Sequence, residues 1–203
     1  GSDKEIWLTE MGWSEYEKDG TPKDNTDGKR INETEAAKYR VRCVLRNDAE
    51  WNFSKIFDYT WNDKESTIDN REAFFGNINS DYSAKKSYIA YAAMNNFIGN
   101  GKFIEREADS DGNYMQSYRT NFDEVVTVIF NSQDKQSSAD VIPVYTSCAF
   151  YDMYGNEISA DEDNGKYIVQ TSGEPVYMVQ KKEAAHMDYK TNTAEIYGEI
   201  TGA

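Results

Sequence analysis

Histidine is nearly absent: His186 is the only one in 203 residues. A lone histidine excludes a histidine metal cluster, and the polar stretch around it (Lys181 to Thr193) reads as surface, which argues against a Ser-His-Asp triad. Cysteine is almost as scarce. Cys43 and Cys148 lie far apart, in different expected elements, which gives neither a disulfide framework nor a metal-ligand spacing. Two cysteines leave the redox compartment open. No apolar run is long enough to span a bilayer, and there is no signal peptide, no glycine-rich phosphate loop and no repeat of fixed period. The opening Gly1-Ser2 has the look of a cloning remnant, so natural sequence, a signal peptide included, is expected upstream of Asp3. Positive charge is also in short supply. Lys and Arg number 22 against 36 Asp and Glu, a formal net charge of -14. Such a surface repels phosphate backbones and anionic lipid, which argues against nucleic acid and membranes as partners. A neutral polysaccharide would feel no such repulsion.

Aromatic residues are plentiful, at 14% with 15 Tyr and 4 Trp. They suit a β-rich core or a surface on which sugars stack. The chain is long enough to bury a real core, as one large domain or two small ones. Its character changes near Gly99 to Gly101. Before that point strand-like runs alternate with helical ones. Ile6 to Thr9 reads as a short buried strand, followed by a polar loop from Ser14 to about Arg30. Asn32-Glu33-Thr34-Glu35 has the form of a capping box and starts a helix to about Asn47. Its apolar positions are Ala36, Ala37, Tyr39, Val41, Val44 and Leu45. Ser54 to Tyr59 is the next strand, and an Asn- and Asp-rich loop runs on to Phe75-Gly76. Ser83 to Ile98 is a second helix, with Tyr88, Tyr91, Ala92, Asn95 and Phe97 expected on its packed side, and Gly99 and Gly101 end it. Long loops after strands and short returns after helices are what a (β/α) barrel produces.

After Gly101 no helix is evident. Strands are expected at Tyr114–Tyr118, Glu124–Asn131, Val141–Tyr151, Tyr167–Thr171, Pro175–Gln180 and Glu195–Thr201. The turns between them include Asp109 to Asn113, Tyr154-Gly155-Asn156, Asp161 to Gly165 and Ser172-Gly173. Short strands at this spacing suggest an antiparallel β-sandwich. Asp109-Ser110-Asp111-Gly112-Asn113 and Asp161 to Gly165 begin like calcium loops but lack the late Glu of an EF-hand, so they read as tight turns.

The residue that stands out is Glu10, at the exit of the first strand. Retaining glycoside hydrolysis needs two carboxyl groups about 5–5.5 Å apart, one nucleophile and one acid/base; a Glu in this position is otherwise a solvated surface residue. The run Trp7-Leu8-Thr9-Glu10-Met11-Gly12-Trp13 resembles the seventh-strand motif of the clan A barrel glycoside hydrolases, whose glutamate is the nucleophile. The likeness continues in order. Lys55-Ile56-Phe57-Asp58-Tyr59-Thr60-Trp61 is similar to their eighth strand, whose terminal aromatic floors a sugar subsite. Glu72-Ala73-Phe74-Phe75-Gly76-Asn77-Ile78 is similar to the E-x-x-F-G turn that follows. Ser83 to Tyr91 is similar to the last barrel helix, with Lys86-Ser87 where these enzymes often carry Pro-Ala. Further on, Asp152 to Asn156 and Gly173 to Met178 resemble the β-sandwich that often follows such barrels.

The resemblance implies a fold of class α/β plus all-β: the last two βα units of a TIM-type barrel over residues 3–101, followed by an antiparallel β-sandwich over 102–203. It implies Glu10 as catalytic nucleophile, with Trp13, Trp61 and Glu72 as substrate-binding residues and no metal or cofactor. Both tryptophans would offer a ring face to a sugar or else pack on neighbouring loops. Glu72 reads more simply as organising its loop. The clan's acid/base ends the fourth strand, and a whole barrel takes about 250 residues. The chain alone is therefore expected to be inactive: a fragment of a secreted or cell-surface hydrolase acting on a plant or microbial polysaccharide or oligosaccharide. The alternatives are a non-catalytic carbohydrate-binding module, in which the β-domain and an exposed Trp61 hold a glycan, or a purely structural β-module. Tyr151, Tyr154 and Tyr177 would form a sugar-stacking patch or, more simply, pack the sandwich against the barrel. An isolated barrel quarter has open strand edges and apolar faces. It is expected to associate with the missing part of the barrel or with itself, to swap elements, or to pack against the β-half.

Overall fold

The computed structural model describes residues 4–15, 17–18, 21–22, 31–64, 71–121 and 123–182. His186 and the strand expected at Glu195–Thr201 lie outside the described residues.

The chain opens with strand β1 (Trp7–Met11), two residues longer at its C-terminal end than the sequence suggests. A two-residue pair, β2 (Glu17–Lys18) and β3 (Thr21–Pro22), follows in the polar loop. Helix α1 (Glu33–Arg46) begins with the expected capping box. The Asn32 side chain accepts the Glu35 N–H at 2.8 Å, and the Glu35 carboxylate accepts the Asn32 N–H at 3.4 Å. The helix runs into a π-helical turn, Asn47–Trp51, closed by Asn52 at φ 53°, a left-handed conformation that Asn tolerates well. Strand β4 (Lys55–Asp58) then pairs parallel with β1, placing Trp7 opposite Lys55 and Met11 opposite Asp58. Parallel strands need a crossover, and α1 supplies it. β1 and β4 form a sheet of their own.

Helix α2 (Lys86–Ile98) lies against α1. Its buried stripe is Ser87, Ala90, Ala93, Met94 and Ile98; of the side expected from the sequence, Tyr91 and Phe97 pack against the core and the other three residues do not. Tyr88, Ala92 and Asn95 are exposed and line a groove beside β4. The helix is apolar around most of its circumference, so periodicity alone placed only part of the packed face.

The remaining strands are antiparallel. They are β5 (Lys102–Ala108), β6 (Asn113–Asn121), β7 (Glu124–Asn131), β8 (Ser137–Val141), β9 (Ser147–Tyr151), β10 (Glu157–Ile158), β11 (Asp161–Asp163), β12 (Lys166–Thr171) and β13 (Val176–Lys181). Six form one sheet in the order β10-β9-β13-β7-β6-β5, and three form another, β11-β12-β8. The single strand expected over Val141–Tyr151 is two strands in different sheets. Pro143 stands in the crossing between them, and a proline has no N–H to give a ladder. β5 escaped the sequence reading because it is an edge strand whose Lys102, Glu105, Arg106 and Glu107 hide its alternation. Asp161–Asp163 is a strand rather than a turn. The turn is Asn164-Gly165, with φ of 52° and 81°, the two-residue hairpin that Asn-Gly favours.

Strand β7 organises the interior. Val126, Val128 and Phe130 face Ala37, Val41 and Leu45 of α1 and Ala90, Met94 and Ile98 of α2. On its other side Ile129 packs with Ala139, Val141 and Val169 of the three-stranded sheet. Full burial of one such side chain is worth about 1.5–3 kcal/mol, so these two clusters hold the layers together. The first core runs across the boundary near residue 101, and the helices pack against the sheet half. Tyr151, Tyr154 and Tyr177 are drawn into it. Phe97 stacks on both Tyr151 and Tyr177, each at 4.8 Å between centroids, and Tyr177 is wholly buried. They pack helix on sheet, and the stacking patch considered for them does not form. Cys43 and Cys148 are both free thiols.

Candidate active site at the ends of the parallel strands

Glu10 lies inside β1, not beyond it, and its side chain is exposed. The register between β1 and β4 shifts between Leu8 and Met11. Thr9 and Glu10 therefore occupy a bulge, a device that re-aims a side chain. Past the bulge, Tyr59 N–H donates to the Met11 carbonyl at 2.7 Å, which ties the two strand ends together. Gly12 makes this approach possible, because a Cβ there would overlap the Tyr59 carbonyl oxygen. Gly76 has a similar role: a Cβ would overlap the backbone of Asn62 and Asp63. That is the physical content of the Phe75-Gly76 pair singled out in the sequence.

The four residues expected at the site do not share one pocket. Glu10 and Trp13 line a groove of about 690 Å³ between β1 and α1, along with Arg42, Arg46 and Trp51. Trp13 is half-buried against Tyr39, with 5.7 Å between ring centroids. Trp61 lines a second groove, of about 630 Å³, on the far side of β4, with Asp58, Tyr88, Tyr91 and Asn95. It is 63% exposed and meets Tyr88 edge-on at 5.9 Å. Met11 borders both grooves. Glu72 is exposed in a 3-10 turn, Arg71–Ala73, and lines neither.

Beneath the strand ends lies a cluster that the sequence reading missed. Arg40, in the middle of α1, is wholly buried. It donates to Glu15 at 3.1 Å, to the carbonyls of Trp13 and Phe75 at 3.2 and 2.6 Å, and to Asp58 at 3.4 Å. Asp58 also accepts from Asn77 Nδ2 at 2.6 Å. Lys85, just before α2, sits 2.7 Å from Asp63 and 3.5 Å from Glu15, and Asp63 accepts the Gly76 N–H at 2.7 Å. Burial pushes the Glu15 carboxyl up from 4.5 to about 7, against the pull of Lys85 and Arg40. Burial, with Asp58 nearby, raises the Tyr91 hydroxyl too. The signal was present in outline: Arg40 interrupts the apolar stripe of α1, and an arginine there has to find partners.

The two loops are also stitched directly. Glu15 N–H donates to the Phe74 carbonyl at 2.9 Å, and Ser14 Oγ donates to the Arg71 carbonyl at 2.8 Å. Exposed Trp61 and Glu10 thus project from a frame fixed by buried charge. A frame of this kind can present a carboxylate and an aromatic face to a neutral polar ligand.

No protein-family model and no curated protein matches the sequence. Solved structures do. The fold is similar to that of a family 39 glycoside hydrolase from the gut symbiont Bacteroides cellulosilyticus WH2. The TM-score is 0.71 at 24% identity, over 87% of this chain and 34% of that one. The likeness is one of fold. A family 30 subfamily 8 xylanase from Clostridium acetobutylicum is similar over 88% of this chain and 43% of its own, with TM-score 0.60 and 13% identity. The catalytic domain of a family 30 xylanase C from Talaromyces cellulolyticus is similar over 90% and 42%, with TM-score 0.59 and 12% identity. This chain spans less than half the length of each. The mixed α/β fold with antiparallel sheets therefore resembles several glycoside hydrolase folds at low identity. No helix among the described residues is long and apolar enough to cross a membrane.

Proposed function

We propose that the chain is the C-terminal part of a retaining clan A glycoside hydrolase that acts on a plant or microbial polysaccharide, with Glu10 as its nucleophile. In this reading β1 and β4, with α1 and α2, are the last two βα units of a barrel over residues 3–101. The antiparallel sheets over 102–203 are its appended β-sandwich. Trp13 and Trp61 contact the sugar, and Glu72 borders the substrate loops. The observation that carries the reading is the order β1–α1–β4–α2 followed by antiparallel sheets, with the glutamate-bearing motif on the first parallel strand. The fold likeness to glycoside hydrolases supports it. The chain supplies one of the two carboxyl groups that retention requires, so alone it is expected to hold sugar without cleaving it. Its partner is then the rest of the barrel or a second copy, and its setting secreted or cell-surface.

The direct test is the size of the natural polypeptide, detected in its source culture with an antibody raised against this chain. A full barrel of about 250 residues predicts a band roughly twice the mass of this chain or more. Glu10→Gln in that longer enzyme should then abolish turnover. A natural product of 23.3 kDa would overturn the catalytic reading.

A further inference from the structure

A buried guanidinium is costly unless every donor finds a partner, and Arg40 spends its donors in four directions. One hydrogen bond goes to a side chain of the loop after β1 (Glu15) and one to a backbone carbonyl of that loop (Trp13). A third reaches the last residue of β4 (Asp58), and the fourth a carbonyl of the loop beyond it (Phe75). The connection to Trp61 is short. Asp58 holds Asn77 Nδ2, and the Asn77 N–H donates to the Trp61 carbonyl at 2.9 Å. One side chain on α1 therefore fixes the backbone of Trp13 directly and that of Trp61 through Asp58 and Asn77.

We propose that Arg40 is a positioning residue that couples the two tryptophan-bearing loops, and that proton uptake by Glu15 shifts both loops together. A planar fork can hold four acceptors in fixed directions, whereas a lysine supplies a point charge. The groups facing Glu15 are Arg40 of α1, Lys85 ahead of α2, Asp63 from the loop after β4 and Glu33 of the first turn of α1. When Glu15 is charged it holds one arm of the fork. When it is neutral that arm loses its ionic partner, and the remaining carboxylate at the fork is Asp58, on the path to Trp61. The raised titration of Glu15 brings this exchange into the neutral range. The sense of the inference rests on the reading that these loops hold a glycan, but its test does not.

The four tryptophans give four indole N–H signals in the ¹⁵N-labelled full chain, assignable by Trp→Phe variants. Trp13 and Trp61 should move between pH 6 and 8 with one shared midpoint near 7. Trp7 and Trp51, which contact Phe57 and Phe53, should stay still. Glu15→Gln should place both moving signals at their low-pH positions throughout. Arg40→Lys keeps the charge without the fork. Provided the sheet amides of Val126 and Val128 remain dispersed, it should leave Trp61 insensitive to pH. A Trp61 signal that ignores Glu15→Gln, or that still titrates in folded Arg40→Lys, would overturn the proposal. Failure to bind oligosaccharide would count against the proposed function alone, since neither signal needs sugar.

Discussion

Strand β7 and the β1–β4 pair are both short, apolar-rich and central to their halves, yet they are satisfied in opposite ways. From Val125 to Asn131 every residue of β7 is buried, with helices on one side and a second sheet on the other. In the parallel pair, Trp7 and Phe57 are each 46% exposed. Their rings meet each other at 6.0 Å, and the Lys55 ammonium lies 4.3 Å over the Trp7 ring. At the ends of these strands the buried cluster is ionic, gathered around Arg40 and flanked by buried Met11, Phe75 and Ile78. An all-parallel sheet is normally covered on both faces, so this pair carries a pattern made for neighbours that the described residues do not supply. The sheet half is held by apolar burial, and the strand-end frame by charge.

The contrast predicts where the fold is most sensitive. Phe130 is wholly buried, packs edge-on to Tyr114 at 5.6 Å and lies under the Arg42 guanidinium at 5.3 Å. Phe130→Ala should cost about 3–5 kcal/mol, read as a lower urea midpoint with unchanged slope. A loss below 1 kcal/mol would mean that the helices do not depend on the sheet.

The ionic half is tested next by Lys85→Met. It strips the cation from between Asp63 and Glu15, and breaking a buried pair of this kind costs about 3 kcal/mol or more. Adding Glu15→Gln to Lys85→Met should recover part of the loss, because Glu15 then no longer places a second negative charge beside the unpaired Asp63. A double variant that loses the sum of the two single losses would mean that the two groups are independent.

The same cluster gives a pH signature that the sheet core cannot give. Glu15 holds its proton more tightly folded, with a titration near 7 against 4.5 for the ordinary group. Its stabilising contribution is therefore full below about pH 4.5 and is lost as pH rises through 7. Thermal midpoints should fall between pH 5 and 8, with Glu15→Gln flattening the slope. An unchanged slope in that variant would assign the titration elsewhere, Asp48 being another carboxyl raised by burial.

These sensitivities also mark what was legible in the sequence. The capping box placed α1 because cap chemistry is local: Asn32 and Glu35 need only each other. Strands β6, β7, β12 and β13 were equally readable, because turn residues bound them. Glu10 was singled out as a candidate through its neighbours Met11, Gly12 and Trp13, of which Gly12 has a clear structural reason in its approach to Tyr59. The Arg40 cluster was not legible, because Glu15, Asp58, Asn77 and Lys85 meet only once β1, α1 and β4 are wound. The packed face of α2 was read only in part for a related reason. Where a helix is apolar on two sides the neighbours decide, and here α1 and the sheet take Ala90, Met94, Phe97 and Ile98, leaving Tyr88, Ala92 and Asn95 on a groove.

The smallest expected effect on stability separates the halves most sharply. Phe57 is as large and apolar as Phe130, but it is half-exposed, so Phe57→Ser should cost only about 1 kcal/mol, roughly half of a full burial. Its effect should appear in association instead. Trp7, Phe57 and Trp61 expose apolar surface around the open edges of a two-stranded sheet, the kind of surface that pairs with another chain. Sedimentation velocity should show the parent chain self-associating with rising concentration and Phe57→Ser less so. If Phe57→Ser destabilises the chain as much as Phe130→Ala does, the pair is already covered in solution by a second copy, and the exposed faces of β1 and β4 are an interface rather than a free surface.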